Sequence, residues 1–213
     1  MPTTVLLVRH GATAANLCRP YRLQGLRPDG DLDPVGERQA RAAGAALRDH
    51  EITQVYCSPL RRARRTAVLV ADVIGREAPR VDERLTEADL GLWSDLTWPE
   101  VERRWPEQYR AFVDDAERSG YPGGENMVQV RDRVLPGMHE LAARHRGETI
   151  AVVSHGVVLR VLLAFWIGLP LRYARCVPHD NGGLSVVELD ADRARVRTVN
   201  AVRHLTGLVV EAA

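Results

Sequence analysis

Three short apolar runs, each followed by a helical pattern, most constrain the fold of this chain. The runs cover Thr3–Val8, Gln54–Cys57 and Thr149–Val153, and they are rich in β-branched residues. Apolar runs of this kind are typical of strands that are buried on both faces of a parallel sheet. Strands that alternate with helices predict an α/β fold, because the crossover helices cover the faces of the sheet. We therefore expect a three-layer sandwich with a mostly parallel central sheet flanked by helices.

The patterns around these runs predict the other elements. Four helices are expected, at Ala12–Leu17, Arg38–His50, Leu60–Ile74 and Val157–Ile167. Before the third of them, Ser58 suits the N-cap and Pro59 suits the first helical position. A last strand over Leu184–Leu189 is expected to pair with Val196–Val199 as a hairpin. We find no internal repeat and no linker, so we expect a single domain over residues 1–213.

The segment 93–121 differs from the rest of the chain in composition. It holds six of the eleven aromatic residues, which are Trp93, Trp98, Trp105, Tyr109, Phe112 and Tyr121. Its prolines, Pro99 and Pro106, favour short helices that lie outside the sheet. Two interpretations stay open: a lid or cap that shapes the mouth of a pocket, or a satellite cluster of packed aromatic rings.

All 29 basic residues are arginine, because the chain contains no lysine. This excludes Schiff-base chemistry, a lysine general base and a P-loop lysine. Any anion must instead be bound by guanidinium, imidazole or backbone N–H groups, and the guanidinium fork suits phosphate. The formal net charge is +1 and the arginines are spread along the chain, so we expect neither a nucleic acid nor a membrane as partner.

The cysteines and the N-terminal residues indicate in which cellular compartment the protein is expected. Cys18, Cys57 and Cys176 are odd in number and have no paired spacing, so we expect neither a disulfide framework nor a zinc site. The apolar run Val5–Val8 is too short for a signal peptide or a membrane span. We expect a cytoplasmic protein.

A homodimer is compatible with the sequence, and nothing in the sequence decides the assembly.

Histidines and arginines follow the three predicted strands. The first strand leads into Arg9, His10 and Gly11, the second into Arg62, and the third into His155. The carboxyl ends of parallel strands meet at one edge of the sheet, where ligands bind. Burying several arginine and histidine side chains together without neighbouring carboxylates would cost free energy, so we expect an anionic ligand at this edge, and phosphate fits best. We expect the glycine after each histidine to let the backbone approach this ligand, and the helix after each turn to direct N–H groups toward it.

Ordered blocks of residues carry a resemblance over almost the whole chain. The first is Leu7–Thr13 (LVRHGAT), followed by Asn16 and by Gln24-Gly25. The later blocks are Asp33–Ala40 (DPVGERQA), Ser58–Ala67 (SPLRRARRTA), Leu85–Glu87 with Gly91 and Trp93, Gly123–Glu125 and Ser154–Gly156. This order resembles the histidine phosphatase superfamily, the phosphoglycerate mutase-like proteins. The resemblance implies a phosphomonoesterase with a phosphoglycerate mutase-like fold that acts on a small phosphorylated metabolite.

The resemblance also implies roles for individual residues. His10 would be the nucleophile that becomes phosphohistidine, and Glu87 would give a proton to the leaving group and later activate water. Arg9, Arg62 and His155 would bind the phosphoryl oxygens. Thr13, Asn16, Gln24 and Gly25 would help to bind the substrate. No metal and no cofactor are implied.

Three departures from the family pattern affect loops near these residues. Ala12 stands where the family usually has Glu or Gln, Ser94-Asp95 replaces Glu-Gly, and Glu125-Asn126 replaces Glu-Ser. The second departure suggests a different backbone near the acid. Asp89 is the near rival of Glu87 for the acid role.

Three alternatives to hydrolysis would each leave a mark in the sequence. A cofactor-dependent mutase of this family would carry a longer insertion before the second histidine, whereas only Ala88 to Ser154 separate Glu87 from His155. A cysteine phosphatase would need arginine at position 63, where the chain has Ala63. A catalytically inactive, phosphate-binding interaction protein would be expected to lack the nucleophile or the acid.

Overall fold

The computed structural model describes residues 1–190 and 193–208. Its strands form one six-stranded sheet, comprising β1 (Thr3–Arg9), β2 (Ile52–Cys57), β3 (Arg80–Val81), β4 (Thr149–Ser154), β5 (Leu184–Leu189) and β6 (Ala194–Ala201). The order across the sheet is β3-β2-β4-β1-β5-β6. The first four strands in this order are parallel neighbours, whereas β5 runs antiparallel to both β1 and β6. This confirms the mostly parallel sheet and the terminal hairpin.

Seven α-helices occur in the described ranges: α1 (Ala14–Leu17), α2 (Pro34–Ala46), α3 (Arg61–Ile74), α4 (Trp98–Arg104), α5 (Pro106–Asp114), α6 (Met127–Arg144) and α7 (Gly156–Trp166). Alternate residues of β1 face opposite layers, as expected for a strand covered on both sides. Val5 and Leu7 pack with α6 and α7, and Leu6 and Val8 pack with α2 and α3. The three-layer prediction is therefore confirmed. None of the described helices is long and apolar enough to cross a bilayer.

The predicted starts of α1, α2 and α3 are wrong. Helix α1 begins at Ala14, two residues after the predicted start, with Thr13 as its N-cap. Helix α3 begins at Arg61 with Leu60 as its N-cap, so neither Ser58 nor Pro59 has the predicted position. Ser58 uses its hydroxyl elsewhere, as described below. Helix α2 begins four residues before the predicted start, because the Asp33 side chain accepts a hydrogen bond from Val35 N and caps the helix.

Helix α6 was not predicted. It is 18 residues long and contains Pro136, which interrupts the helical signal in the sequence. Asn126 caps its first turn, and Gln129 completes the capping box. Its buried face, which includes Val130, Val134 and Met138, packs in the larger core.

The aromatic segment 93–121 forms two short helices, α4 and α5, as expected. Trp93 is fully buried and meets the rings of Trp98, Phe112 and Tyr121 at centroid distances of 5.1–5.9 Å. These rings belong to the larger core, and Trp98 and Tyr121 also line the main cavity. The segment therefore packs its aromatic rings and also forms part of the cavity wall, while its movement as a lid stays a prediction.

Candidate active site

The ends of β1 and β4 bring the two predicted histidines together. Arg9 lies opposite Ser154 in the parallel pair, and the backbone N–H of His10 donates to Ser154 O at 3.0 Å. The ring centroids of His10 and His155 are 5.1 Å apart. Both rings are buried, so the strand register places two imidazoles beside each other at one edge of the sheet.

His10 is held in one tautomer. Its Nδ1 lies 2.8 Å from Gly11 O, and a carbonyl oxygen can only accept a hydrogen bond, so the proton is on Nδ1. The lone pair of Nε2 is then free. Burial, Arg62 and Arg9 together hold the pKa of His10 well below its ordinary value. The ring is therefore neutral near pH 7, which is the nucleophilic form.

Arg9 and Arg62 supply buried positive charge beside this ring. Arg9 donates to the backbone oxygen of His179 at 2.6 Å, and Arg62 donates to Gly25 O at 2.8 Å. Arg62 is fully buried, and its nearest carboxylate, Asp29, lies 3.5 Å away. The Nε atoms of both arginines are buried without a hydrogen-bond partner in the described ranges. Such donors are suited to an anionic ligand.

His155 is oriented by Ser58. The Ser58 hydroxyl lies 2.7 Å from Nε2 of His155, whereas His155 Nδ1 is buried without a partner among the described residues. Burial, followed by Arg62, holds the pKa of His155 well below its ordinary value, so this ring is also neutral. Sequence reasoning considered Ser58 only as a helix cap, and nothing local in the sequence links it to a residue 97 positions away.

Glu87 lies at the N-terminus of α7. Its side-chain oxygens accept hydrogen bonds from the backbone N–H groups of Ala88, Val157 and Val158 at 2.9–3.3 Å. Its rival, Asp89, accepts from Gly91 N and does not line the cavity that holds His10. The geometry therefore favours Glu87 as the carboxyl group that meets a bound substrate.

Gly156 lines the cavity, as expected for a glycine that lets the backbone approach a ligand. The same expectation is wrong for Gly11, and the expectation about the helix N–H groups is wrong in part. The N–H of Gly11 donates to Thr66 Oγ1, and a Cβ on Gly11 would lie 2.2 Å from Gly36 O, so this glycine permits close packing between two segments of the chain. At α3 and α7, N–H groups of the first turn are also occupied by protein carboxylates. Those of α7 donate to Glu87, and Arg61 N at the start of α3 donates to Asp29. The cationic side chains remain as the donors for an anion.

Arg133 supports the loop that carries Glu87. From α6 it donates to the backbone oxygens of Arg84 and Thr86 at 2.8 and 2.9 Å. It also forms a two-point ion pair with Glu125, whose carboxylate accepts from Asp89 N. Sequence reasoning missed Arg133, because its helix was not predicted.

The predicted substrate-binding residues form a connected group. The Thr13 hydroxyl lies 2.7 Å from Gln24 Oε1 and 3.1 Å from Asn16 Oδ1. Asn16 and Gln24 line the cavity, while Thr13 is buried behind them. Gly25 contributes its carbonyl oxygen to Arg62 and leaves room for Ala88 and Leu90. Of the four, Asn16 and Gln24 thus reach the cavity with their side chains.

One of the loop departures has an unusual backbone conformation. Asp95 stands where the family usually has glycine, and it adopts a φ of 60°, in the left-handed region that favours glycine. A backbone near the acid that differs from the family's stays a prediction.

Cys57 is buried, which raises the pKa of its thiol to about 11 and makes it a poor nucleophile.

The cavity has a volume of about 260 Å³. Arg9, His10 and Glu87 line it, together with Trp98 and Tyr121 of the aromatic segment 93–121, for which the sequence left a role at the pocket mouth open. The cavity is also lined by residues that the sequence did not single out: Tyr21, Arg22, Arg160 and Arg175. Arg62 and His155 lie behind this lining beside His10. No group of three or more potential metal ligands occurs among residues 1–190 and 193–208.

Comparisons with known proteins identify the family and the fold of the chain. The family model for the histidine phosphatase superfamily (branch 1) matches residues 5–202. Phosphoserine phosphatase 1 of Hydrogenobacter thermophilus is 32% identical, over 98% of this chain and 97% of its own. YhfR of Bacillus stearothermophilus superposes with a TM-score of 0.86 at 32% identity, over 95% of this chain and 99% of its own. The mycobacterial glucosyl-3-phosphoglycerate phosphatase solved with VO3 has a TM-score of 0.82 at 30% identity, over 93% and 98% of the two chains.

Proposed function

The chain belongs to branch 1 of the histidine phosphatase superfamily, and from this premise we propose that it hydrolyses small phosphate monoesters with His10 as the nucleophile. Its relationship to proteins named as phosphatases makes it a phosphoric monoester hydrolase. The roles of individual residues are our proposal, and they are argued from the geometry of the site.

One observation carries the proposal. Three buried donors beside the His10 ring lack partners in the described ranges: Arg9 Nε, Arg62 Nε and His155 Nδ1. Buried polar groups are normally hydrogen-bonded, and an unsatisfied one costs about 1–3 kcal/mol. A phosphoryl group with its three equatorial oxygens would satisfy all three donors. It would also lie beside the free Nε2 of His10.

The reaction then takes two steps. In the first, Nε2 of His10 forms a bond to phosphorus and the bond to the ester oxygen breaks, while Glu87 gives its proton to that oxygen. In the second step, Glu87 removes a proton from water, the water oxygen attacks phosphorus and the P–N bond breaks. Inorganic phosphate leaves, and His10 returns to its neutral form.

Arg9 and Arg62 stabilise the charge on the equatorial oxygens in both steps. Arg62 is fully buried and Arg9 is partly buried, so this interaction is stronger than it would be in water. Proton transfer by a placed carboxyl group adds a factor of about 10²–10⁴ in rate. In the proposed mechanism the two guanidinium groups stabilise the negative charge of the phosphoryl oxygens, and neither a metal nor a cofactor is required.

The cavity supports a small metabolite as substrate. Its volume of about 260 Å³ lies just below the usual range of about 300–1,000 Å³ for ligand pockets. Relatives are named for phosphoserine and for glucosyl-3-phosphoglycerate, and we propose a phosphate ester of similar size here.

Mutase activity is the alternative, since other relatives carry phosphoglycerate mutase names. A mutase would pass the phosphoryl group to a second hydroxyl, whereas a phosphatase passes it to water. The short segment between Glu87 and His155 favours hydrolysis. Release of inorganic phosphate without label in an added acceptor alcohol would distinguish the two.

The test is to trap the intermediate. Enzyme that is mixed with ³²P-labelled substrate and quenched within milliseconds should carry a label that is stable in base and lost in acid. His10→Ala should abolish both this label and turnover. Cys57→Ser is a matched control and should keep both, because Cys57 is buried and poorly nucleophilic. Full turnover by His10→Ala would refute the proposal.

The remaining expectations are also proposals. We propose a cytoplasmic enzyme of one domain that has no nucleic-acid or membrane partner. Light scattering of the purified protein would show whether it forms a homodimer.

A further inference from the structure

We propose that the physiological substrate carries a second anionic group, and that Arg160 and Arg175 bind this group. The inference rests on the proposed function and narrows it. Phosphate monoesters that also contain a carboxylate or another phosphate would be preferred, and esters whose remaining part is neutral would be poor substrates.

The first support is that both guanidinium groups lack an anionic partner. Both residues line the cavity. Within residues 1–190 and 193–208, neither forms an ion pair or a side-chain hydrogen bond, and Arg160 Nε is buried without an acceptor. Other arginines at the cavity do have partners. Arg22 lies 3.8 Å from Asp95, and Arg9 donates to His179 O.

Arg175 is held in place by aromatic rings. Its guanidinium lies over the rings of Trp98 and Phe112, at 4.9 and 5.1 Å from their centroids. Trp98 is itself fixed by a hydrogen bond of 2.7 Å from its indole N–H to the hydroxyl of Tyr21. Stacking restricts the guanidinium without using its N–H donors. The donors of Arg175 thus remain available to a ligand.

The charge balance of the cavity supports the same conclusion. Glu87 is the one carboxylate among the residues that line the cavity, and backbone N–H groups already donate to its oxygens. A phosphate dianion would be matched by Arg9 and Arg62. Arg160, which is partly buried, and Arg175, which is exposed, would then remain at the cavity without a matching negative charge, so both are available to a further anion.

The two arginines lie close to the reacting groups. Burial raises the pKa of Tyr121. The negative charge of Glu87 also raises this pKa, whereas the positive charges of Arg175 and Arg160 lower it. The pKa of Arg9 is lowered chiefly by burial and next by the positive charge of Arg160. Arg160 and Arg175 line the same cavity as His10 and Glu87. A substrate that fills this cavity would therefore meet both the reacting groups and the two arginines.

The test compares matched pairs of esters. In 3-phosphoglycerate a carboxylate replaces the neutral hydroxymethyl group of glycerol 3-phosphate, and fructose 1,6-bisphosphate differs from fructose 6-phosphate by a second phosphate. For the wild type, kcat/KM should be at least about tenfold higher for the anionic member of one pair. The pair that shows the preference identifies the second anion as a carboxylate or a phosphate. A charge-assisted hydrogen bond accounts for an effect of this size.

The variants Arg160→Gln and Arg175→Gln should each lower this preference ratio at least about tenfold, mainly through KM for the anionic ester. Arg172→Gln is the matched control, because Arg172 is exposed, stacks on Tyr173 and does not line the cavity. It should keep the ratio of the wild type. A ratio near one for both pairs in the wild type, or equal ratios in the wild type and the two variants, would overturn the inference.

Turnover of p-nitrophenyl phosphate separates this inference from the proposed function. If the wild type hydrolyses this ester through a phosphohistidine but shows no preference within either pair, the second-anion site is wrong and the phosphatase assignment stands. If it shows neither turnover nor phosphohistidine, the proposed function itself is wrong, and the inference that rests on it falls with it.

Discussion

The hydroxyl of Ser58 donates a hydrogen bond to Nε2 of His155 across a distance of 2.7 Å. Ser58 Oγ already accepts from Leu60 N, and its O–H has no other acceptor in the part of the chain that the structure describes. A ring nitrogen that accepts must be unprotonated, so the proton of the neutral His155 ring is on Nδ1. That N–H is the partnerless donor beside His10. Ser58 is thus a positioning residue for phosphate binding.

Ser58→Ala should lower kcat/KM about 10- to 100-fold, because the buried Nε2 of His155 loses its partner and the ring can change tautomer. Ser58→Thr, which keeps the hydroxyl, should restore much of the activity. The ¹⁵N chemical shifts of the His155 ring report the tautomer directly. If these shifts are the same in the wild type and in Ser58→Ala, the proposed role of Ser58 is wrong.

Glu87→Gln should lower kcat about 10²–10⁴-fold for an ester with a poor leaving group, because the amide cannot transfer a proton. The loss should be much smaller for p-nitrophenyl phosphate, whose leaving group needs little protonation. Asp89→Asn is the matched control two residues away, and its effect should be small. A large loss in Asp89→Asn together with normal rates in Glu87→Gln would move the acid role to Asp89.

The free energy of unfolding should fall as the pH decreases from about 7.5 to 5.5. Burial and nearby arginines lower the pKa values of His10, His155 and His179, the last to about 3. The unfolded state therefore binds protons below about pH 6.5 while the folded state does not, so stability that is present above this pH is lost below it. Each histidine contributes up to about 1.4 kcal/mol per pH unit.

Urea titrations at several pH values would measure this dependence. His179→Asn should reduce the slope, because one of the three buried rings is removed. The carboxylates with lowered pKa values, such as Asp82 and Glu140, act mainly below this pH range. A stability that does not change between pH 7.5 and 5.5 would contradict the neutral, buried state of these histidines.

Arg133→Met should lower kcat about tenfold and destabilise the fold by about 1–3 kcal/mol, because the loop that carries Glu87 loses its hydrogen bonds to α6. Arg131→Met, on the same helix, removes hydrogen bonding to Asp132 but no contact with this loop. It should behave like the wild type in turnover. Equal kinetic effects of the two substitutions would indicate a general weakening of α6.

Turnover of p-nitrophenyl phosphate should not change when EDTA is added to the dialysed enzyme. The expected reason is that guanidinium groups, chiefly those of Arg9 and Arg62, provide the charge that a metal ion supplies in other phosphatases. Activity that is lost with EDTA and restored by a divalent cation would refute the metal-independent mechanism.

The sequence predicted the parallel sheet well, because strands that are buried on both faces read as continuous apolar runs such as Thr149–Val153. It also predicted His10, His155, Arg9 and Arg62, since residues that follow parallel strands share one edge of the sheet. The prediction failed at α6, where Pro136 hides the helical pattern. It also failed at the start of α3, where Ser58 bonds to His155 instead of capping the helix.

The sequence by itself thus determined the layered fold, the cationic residues at the strand ends and the family, because each of these follows from local apolar runs or from motifs in a fixed order. Only the tertiary structure decided how the site is set up. It decided the tautomers of His10 and His155 and the hydrogen bonds of Glu87 at the start of α7. It also decided the support from Arg133 and the absence of an ion pair at Arg160 and Arg175 among the described residues. All of these depend on distances between groups, several of which are far apart in the chain. Such distances follow from packing and register, which no local pattern encodes.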